Sequence, residues 1–203
     1  MKILVIMANP RKNSYTRRLL QAFLSSYQQH HPADTVTELD LYQADIPVID
    51  GAVIQAWDKV GQELSPEEQR LLVKIDFYTE QFVTADKIVF AAPMWNLQFP
   101  PLLTAYLANI MVAGKTFCYT ETGCKGLLQD KPVLLLHVRG GIYSSGPMRA
   151  FDHAVPYLRD LCGMLGLTRF QTVIYEGGEM FPDRTAQLLQ QAMLQAANVA
   201  EHF

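Results

Sequence analysis

Lys2-Ile3-Leu4-Val5-Ile6-Met7-Ala8-Asn9-Pro10-Arg11-Lys12-Asn13-Ser14-Tyr15-Thr16-Arg17-Arg18-Leu19-Leu20 opens the chain with an apolar run, a polar turn and an amphipathic stretch. The run from Ile3 to Met7 is too short for a signal-peptide core and far too short to span a bilayer. It lacks the in-out alternation of a half-exposed strand, so it reads as a strand covered on both faces, the habit of parallel sheets flanked by helices. The polar turn then feeds a helix from about Ser14 to His30, and strand, loop and helix together open a βα unit.

The same rhythm continues along the chain. Strand-length runs recur at Thr35 to Leu39, Lys87 to Ala92, Val133 to Val138 and Phe170 to Tyr175, with helical stretches near Pro66 to Thr84, Pro101 to Val112, Pro147 to Leu165 and Asp183 to Glu201. KIVFAA and VLLLH are apolar throughout; TVTEL alternates and belongs at an edge. Five strands alternating with five helices predict an α/β fold with a parallel sheet in the order 2-1-3-4-5 and helices on both faces. The 203 residues, 49% hydrophobic and 18% charged, suit one domain spanning 1 to 203 and are marginal for two. Gln43 to Ser65 is the longest stretch without a clear element; a lid and a partner contact are the roles open to it.

A net charge of −3 and a sequence pI of 5.9 argue against nucleic acid or an anionic membrane as partner. Cys118, Cys124 and Cys162 are odd in number and make no CxxC or metal-ligand spacing with a nearby histidine. That argues against a disulfide framework and a zinc site, and a reducing cytoplasm fits best.

Right-handed crossovers bring the loops after the first, third and fourth strands to the carboxyl edge of the sheet, where open α/β folds bind ligands. In the first, Asn9 to Thr16 leads into a helix N-terminus whose unpaired N–H groups, with the Ser14 and Thr16 hydroxyls, suit a phosphate. It is neither GxGxxG nor a Walker loop; the ordinary alternative is that Asn13 or Ser14 is just an N-cap. In the second, Ala92-Pro93-Met94-Trp95-Asn96-Leu97-Gln98-Phe99-Pro100-Pro101, prolines stiffen a turn carrying an aromatic and an amide, a mix able to wall and hydrogen-bond a heterocycle. Trp95 could equally be a core aromatic covering the sheet end. In the third, Val138-Arg139-Gly140-Gly141 lets the backbone come close to a ligand and offer N–H groups to negative charge, unless it is an ordinary Gly-Gly turn. The strength lies in three such loops sharing one edge. His137 and His153 lack a carboxylate or cysteine at motif spacing, Ser144 and Ser145 lack a nucleophile elbow, and no metal site is expected.

These residues carry a resemblance. KILVI followed by Ser14-Tyr15-Thr16, IPVIDG, AAPMWN at 91 to 96, GKTFCYTETG at 114 to 123 and RGG at 139 to 141 run in order along nearly the whole chain. Together they resemble the FMN-dependent NADH-azoreductases, within the flavodoxin-like quinone reductases. The resemblance implies FMN with its phosphate at Asn9 and Ser14, Tyr15 and Thr16, and its ring system between Pro93, Met94, Trp95, Asn96 and Leu97 on one side and Val138, Arg139, Gly140 and Gly141 on the other. It implies an acceptor pocket with Phe117, Tyr119 and Tyr143, NADH or NADPH as hydride donor, a quinone or azo acceptor, a ping-pong cycle, and a homodimer with active sites at the interface. No side chain need act as catalyst, because the flavin itself carries the hydride.

Several positions depart from the family pattern. Asn9-Pro10 stands where serine is common, Trp95 where tyrosine is usual, Val138 in place of a frequent serine, Thr104-Ala105 where Lys-Asn is common, and Asn109 in place of an aspartate. They bear on affinity and acceptor choice more than on the fold. Three other readings share the architecture: a flavodoxin-type electron carrier, an acyl-carrier-protein phosphodiesterase-like hydrolase, and a redox-silent binding protein.

Overall fold

The computed structural model describes residues 1–59 and 61–203, so position 60 of the Gln43 to Ser65 stretch lies outside the described residues. Strands β1 (Lys2–Met7), β2 (Thr35–Asp40), β3 (Lys87–Pro93), β6 (Val133–Val138) and β7 (Phe170–Tyr175) form a five-stranded sheet in the order β2-β1-β3-β6-β7, every pair parallel. This is the predicted order 2-1-3-4-5, with β2 at one edge.

Period-two alternation divides each inner strand between two helical layers. Leu4, Ile6, Ile88, Phe90, Val133 and Leu135 face one cluster with residues of α3 (Pro66–Thr84), α4 (Pro101–Ile110) and α5 (Ala154–Leu165), among them Phe82, Tyr106 and Leu158. Ile3, Val5, Val89, Leu134 and Leu136 face the other, with Leu19, Phe23 and Tyr27 of α1 (Tyr15–His30) and Leu189, Ala192 and Ala196 of α6 (Thr185–His202). Burial on both faces explains why these strands read as continuous apolar runs. Each fully buried Leu, Ile or Phe contributes about 1.5–3 kcal/mol.

The structure corrects one expectation and fills two stretches that had no assigned element. Pro147 to Leu165 is not one helix: Pro147–Phe151 forms a 3₁₀ turn, Asp152 is extended, and α5 restarts at Ala154. The cause is Pro156, which has no N–H and whose ring would clash with the Asp152 carbonyl in a continuous helix; it is tolerated only in the first turn. The Gln43 to Ser65 stretch contains a short helix, α2 (Gly51–Asp58), started by Asp50, whose carboxylate accepts from the N–H groups of Ala52 and Val53 at 3.0 and 3.1 Å. Finally, the stretch after α4 forms an antiparallel hairpin, β4 (Phe117–Thr120) with β5 (Gly123–Gly126). Its base packs so closely on the end of α5 that a Cβ at Gly126 would lie 2.2 Å from the Gly166 nitrogen. No helix is long and apolar enough to cross a membrane among the described residues.

Candidate active site

At the carboxyl edge, the first loop is braced internally. Asn9, 4% exposed, donates from Nδ2 to Thr16 Oγ1 at 3.1 Å, and its Oδ1 accepts from the Arg11 N–H at 3.0 Å. Arg17 donates to the Asn9 carbonyl and pairs with Asp40 at 2.6 Å, tying the loop to the end of β2. Ser14 caps α1 by accepting from the Arg17 N–H at 3.2 Å. The N–H groups of Ser14, Tyr15 and Thr16 donate to no protein acceptor among the described residues, and with the positive end of the helix they form an anion receptor.

The second loop is a tight turn. Trp95 and Gln98 exchange backbone hydrogen bonds of 2.7 and 2.9 Å, and both residues between them have positive φ, Asn96 at 47° and Leu97 at 69°. That is the I′ pattern of two-residue turns, with a leucine where glycine is usual. The Met94 N–H donates to the Val138 carbonyl at 2.7 Å, which clamps this loop to the third. Beneath it His137 is fully buried, its Nδ1 2.8 Å from the Ala92 carbonyl and its Nε2 without a partner among the described residues. Burial, with a smaller push from the Arg139 cation, drives the imidazole pKa down to about 4 against the pull of the Ala92 hydrogen bond. This histidine is neutral scaffolding.

The third loop contains a buried cation. The Arg139 side chain is 1% exposed; its Nη1 lies 2.6 Å from Asp152 Oδ2, and its Nε lies 2.9 Å from Glu176 Oε2, close enough for an ion pair though not aligned as a hydrogen bond. Asp152 also caps α5, accepting from the N–H groups of Ala154 and Val155. The Glu176 carboxylate accepts from the Tyr143 and Ser144 N–H groups at 3.0 and 3.3 Å and from the Ser144 hydroxyl.

The loops enclose a cavity of about 530 Å³ lined by Asn9, Arg11, Asn13, Ser14, Tyr15, Thr16, Pro93, Met94, Trp95, Val138, Arg139, Gly140, Tyr175 and Glu179. Most of the residues singled out from the sequence meet here. Asn96, Leu97, Gly141 and Tyr143 do not line it; the first two form the turn behind Trp95, and Tyr143 stands beside Arg139, whose guanidinium lies 5.7 Å from its ring centre. Phe117 and Tyr119 line a separate cavity of about 610 Å³ with Trp57, Leu72 and Met111. Arg11 and Asn13 lie within the loop read from the sequence but are not among the residues expected to bind the ligand; the sequence marks Asn13 only as a candidate N-cap. Tyr175 ends β7 and Glu179 lies in the connection after it, and the place of β7 beside β6 was the available signal; a Cβ at Gly140 would lie 2.6 Å from Glu179 Cγ, so glycine there lets Glu179 cross the loop. Among the described residues no group of three or more His, Cys, Asp and Glu is placed to hold a metal ion.

Residues 1–199 match the family model described as a flavodoxin-like fold. An FMN-dependent NADH:quinone oxidoreductase of Bacillus thuringiensis subsp. konkukian is 40% identical over 206 residues, covering 100% of this chain and 99% of its own length. An azoreductase from Bacillus anthracis strain Sterne is 40% identical with a TM-score of 0.94, over 100% of this chain and 99% of that one. An FMN-dependent NADH-azoreductase from Bacillus anthracis strain Ames Ancestor, crystallised in complex with FMN, is 32% identical with a TM-score of 0.94, over 99% of this chain and 98% of that one. This chain belongs to the flavodoxin-like family and, within it, to the family of the FMN-dependent NADH:quinone oxidoreductases.

Proposed function

We propose that this chain is an FMN-dependent oxidoreductase that takes hydride from NADH or NADPH and passes the electrons to a flat quinone or azo acceptor in a ping-pong cycle. The observation that carries the reading is the single cavity where the three loops meet. Its residues suit FMN. At one end the free N–H groups of Ser14, Tyr15 and Thr16 match a phosphate; at the other, Pro93, Met94 and Trp95 offer a flat apolar wall and Gly140 an unpaired backbone N–H. Bound FMN supplies the chemistry by accepting and returning hydride. The protein's part is to hold the phosphate, present one face of the ring system and set the polarity around it. A pocket that stacks flat acceptors discriminates weakly among them, which accords with both quinone reductases and azoreductases among the relatives.

The reading includes a homodimer. Within one chain Phe117 and Tyr119 lie away from the cavity, Tyr119 is 76% exposed, and Phe77 and Val73 of α3 are exposed as well. A second copy covering these side chains would bring its own hairpin toward the cavity and complete the acceptor pocket with Tyr143. The cysteines 118, 124 and 162 are all free, which suits a reducing cytoplasm.

The test is the visible spectrum of purified protein after adding FMN and removing the excess, followed by anaerobic NADH and then a quinone. Bound flavin that bleaches and recovers supports the reading. Binding without bleaching would assign a carrier instead, and no retained flavin would overturn the oxidoreductase.

A further inference from the structure

In the third loop, the N–H groups of Arg139, Ile142, Tyr143 and Ser144 are all used: by the Tyr175 carbonyl at 2.9 Å, by Met180 Sδ at 3.4 Å, and by the Glu176 carboxylate for the last two. The carbonyls of Gly140 and Gly141 are used as well, accepting from Glu179 and Gly177 at 3.1 and 3.3 Å. Among the described residues only the N–H groups of Gly140 and Gly141 in this run donate to no protein acceptor. Two adjacent unpaired amides are held in a run whose other N–H groups, from Arg139 to Ser144, all have acceptors.

What ties it down converges on one group. The Arg139 guanidinium is neutralised on one side by Asp152, at the start of α5, and on the other by Glu176, just after β7. Glu176 is the only one of the two carboxylates that also grips the loop, through residues 143 and 144. Removing an arginine from water and flanking it with two carboxylates is a costly way to gain stability, since apolar packing usually does as well. Its other use is to fix geometry.

We propose that Arg139 is a positioning residue: acting through Glu176, it holds the amide of Gly140, which lines the cavity, and that of Gly141 behind it as a rigid anion receptor that favours the reduced, anionic form of bound FMN over the oxidised form. The inference rests on FMN binding in the cavity. Amides already in place need no reorganisation when charge develops on the ligand, whereas a slack loop must first be ordered. Loosening the brace therefore weakens the hold on reduced flavin more than on oxidised flavin.

The test uses two substitutions that conserve charge, so that the long-range field is unchanged. Arg139→Lys keeps one cation but cannot span both carboxylates, because an ammonium lacks the planar fork. Glu176→Asp, at a partly exposed position, withdraws the carboxylate from the loop by one methylene and safeguards the test if the buried lysine impairs folding. In the full-length protein the dissociation constant of oxidised FMN is read by fluorescence, and the midpoint potential of bound FMN by anaerobic titration against a reference dye. The expected result is oxidised FMN held within about threefold of the unaltered chain, and the preference for reduced over oxidised flavin lowered about tenfold, a potential about 30 mV more negative. Asp152→Asn, at the carboxylate that does not touch the loop, is expected to lower thermal stability without that negative shift. Variants that bind FMN at an unchanged potential would overturn the inference alone; an unaltered chain that binds no FMN would overturn the reading beneath it as well.

Discussion

Leu97 occupies the second central position of the turn behind Trp95 at φ 69°, a conformation that costs a side-chain-bearing residue about 1–2 kcal/mol. Leu97→Gly removes that strain while freeing the unfolded chain, so a net gain of about 0.5–1 kcal/mol is expected, seen as a melting temperature raised by about 1–4 °C; an unchanged or lower value would mean that Leu97 packing outweighs the backbone strain. His137 makes the opposite kind of demand. Its folded-state pKa of about 4 lies below the ordinary value of 6.5, so between these limits the unfolded chain binds the extra proton. Stability is full above pH 6.5 and falls as pH drops toward 4, by roughly 1.5 kcal/mol between pH 6.5 and 5. Urea unfolding across that range should show a shallower pH slope in His137→Gln, and an identical slope would refute the assignment.

At the scale of elements, α3 starts and stops by different means. Its start is local: Ser65 and Glu68 form a capping box, with Pro66 in the first turn. Its end has no basic residue in the last turn, and Ala85 is already extended. The carbonyls left there are met from far along the chain by Lys131, which is 7% exposed and whose Nζ donates to Phe82, Val83 and Ala85 at 3.1, 2.7 and 2.5 Å. Burial lowers the Lys131 pKa, with Asp86 opposing. Lys131→Met keeps the stem and strips these carbonyls of their donor, which should cost about 2–3 kcal/mol and lower the melting temperature by about 4–10 °C in a scanning calorimeter. A change under about 1 °C would show that water replaces the ammonium at no cost. The break between the 3₁₀ turn and α5 belongs to this scale too: Pro156 set the boundary, and Asp152 became free to cap the helix and reach Arg139.

For the molecule as a whole, the apolar side chains left at least half exposed include Val73 and Phe77, which line one hollow on α3, Ile54 on α2 and Tyr119 on the hairpin. Val73 and Phe77 side by side in the open are the kind of apolar surface that marks an association site. Light scattering on purified protein is expected to give a dimer, and Phe77→Asp, placing a charge in that surface, to shift it toward monomer with a loss of quinone reduction larger than any loss of FMN binding. A monomeric parent protein would refute the dimer. A folded Phe77→Asp monomer with undiminished turnover would place the complete site within one chain.

The sequence alone determined the parallel sheet, its strand order and three of the loops that line the cavity. Those follow from local properties: unbroken apolar runs mark strands covered on both faces, and right-handed crossovers bring their carboxyl ends to one edge. Even α3 was legible to its ends, because Ser65, Pro66 and the stretch to Thr84 carry their own boundary signals. The hairpin was not, since four-residue strands such as Gly123–Gly126, with Cys124 and Lys125 exposed, have too little apolar pattern to register. Tyr175 and Glu179 in the cavity, Lys131 on a distant helix end, and the guanidinium of Arg139 turned away from solvent toward Asp152 and Glu176 were decided only by the tertiary structure. Each depends on a contact between residues far apart in sequence, and neither periodicity nor propensity carries the direction of a side chain or the identity of the group it meets.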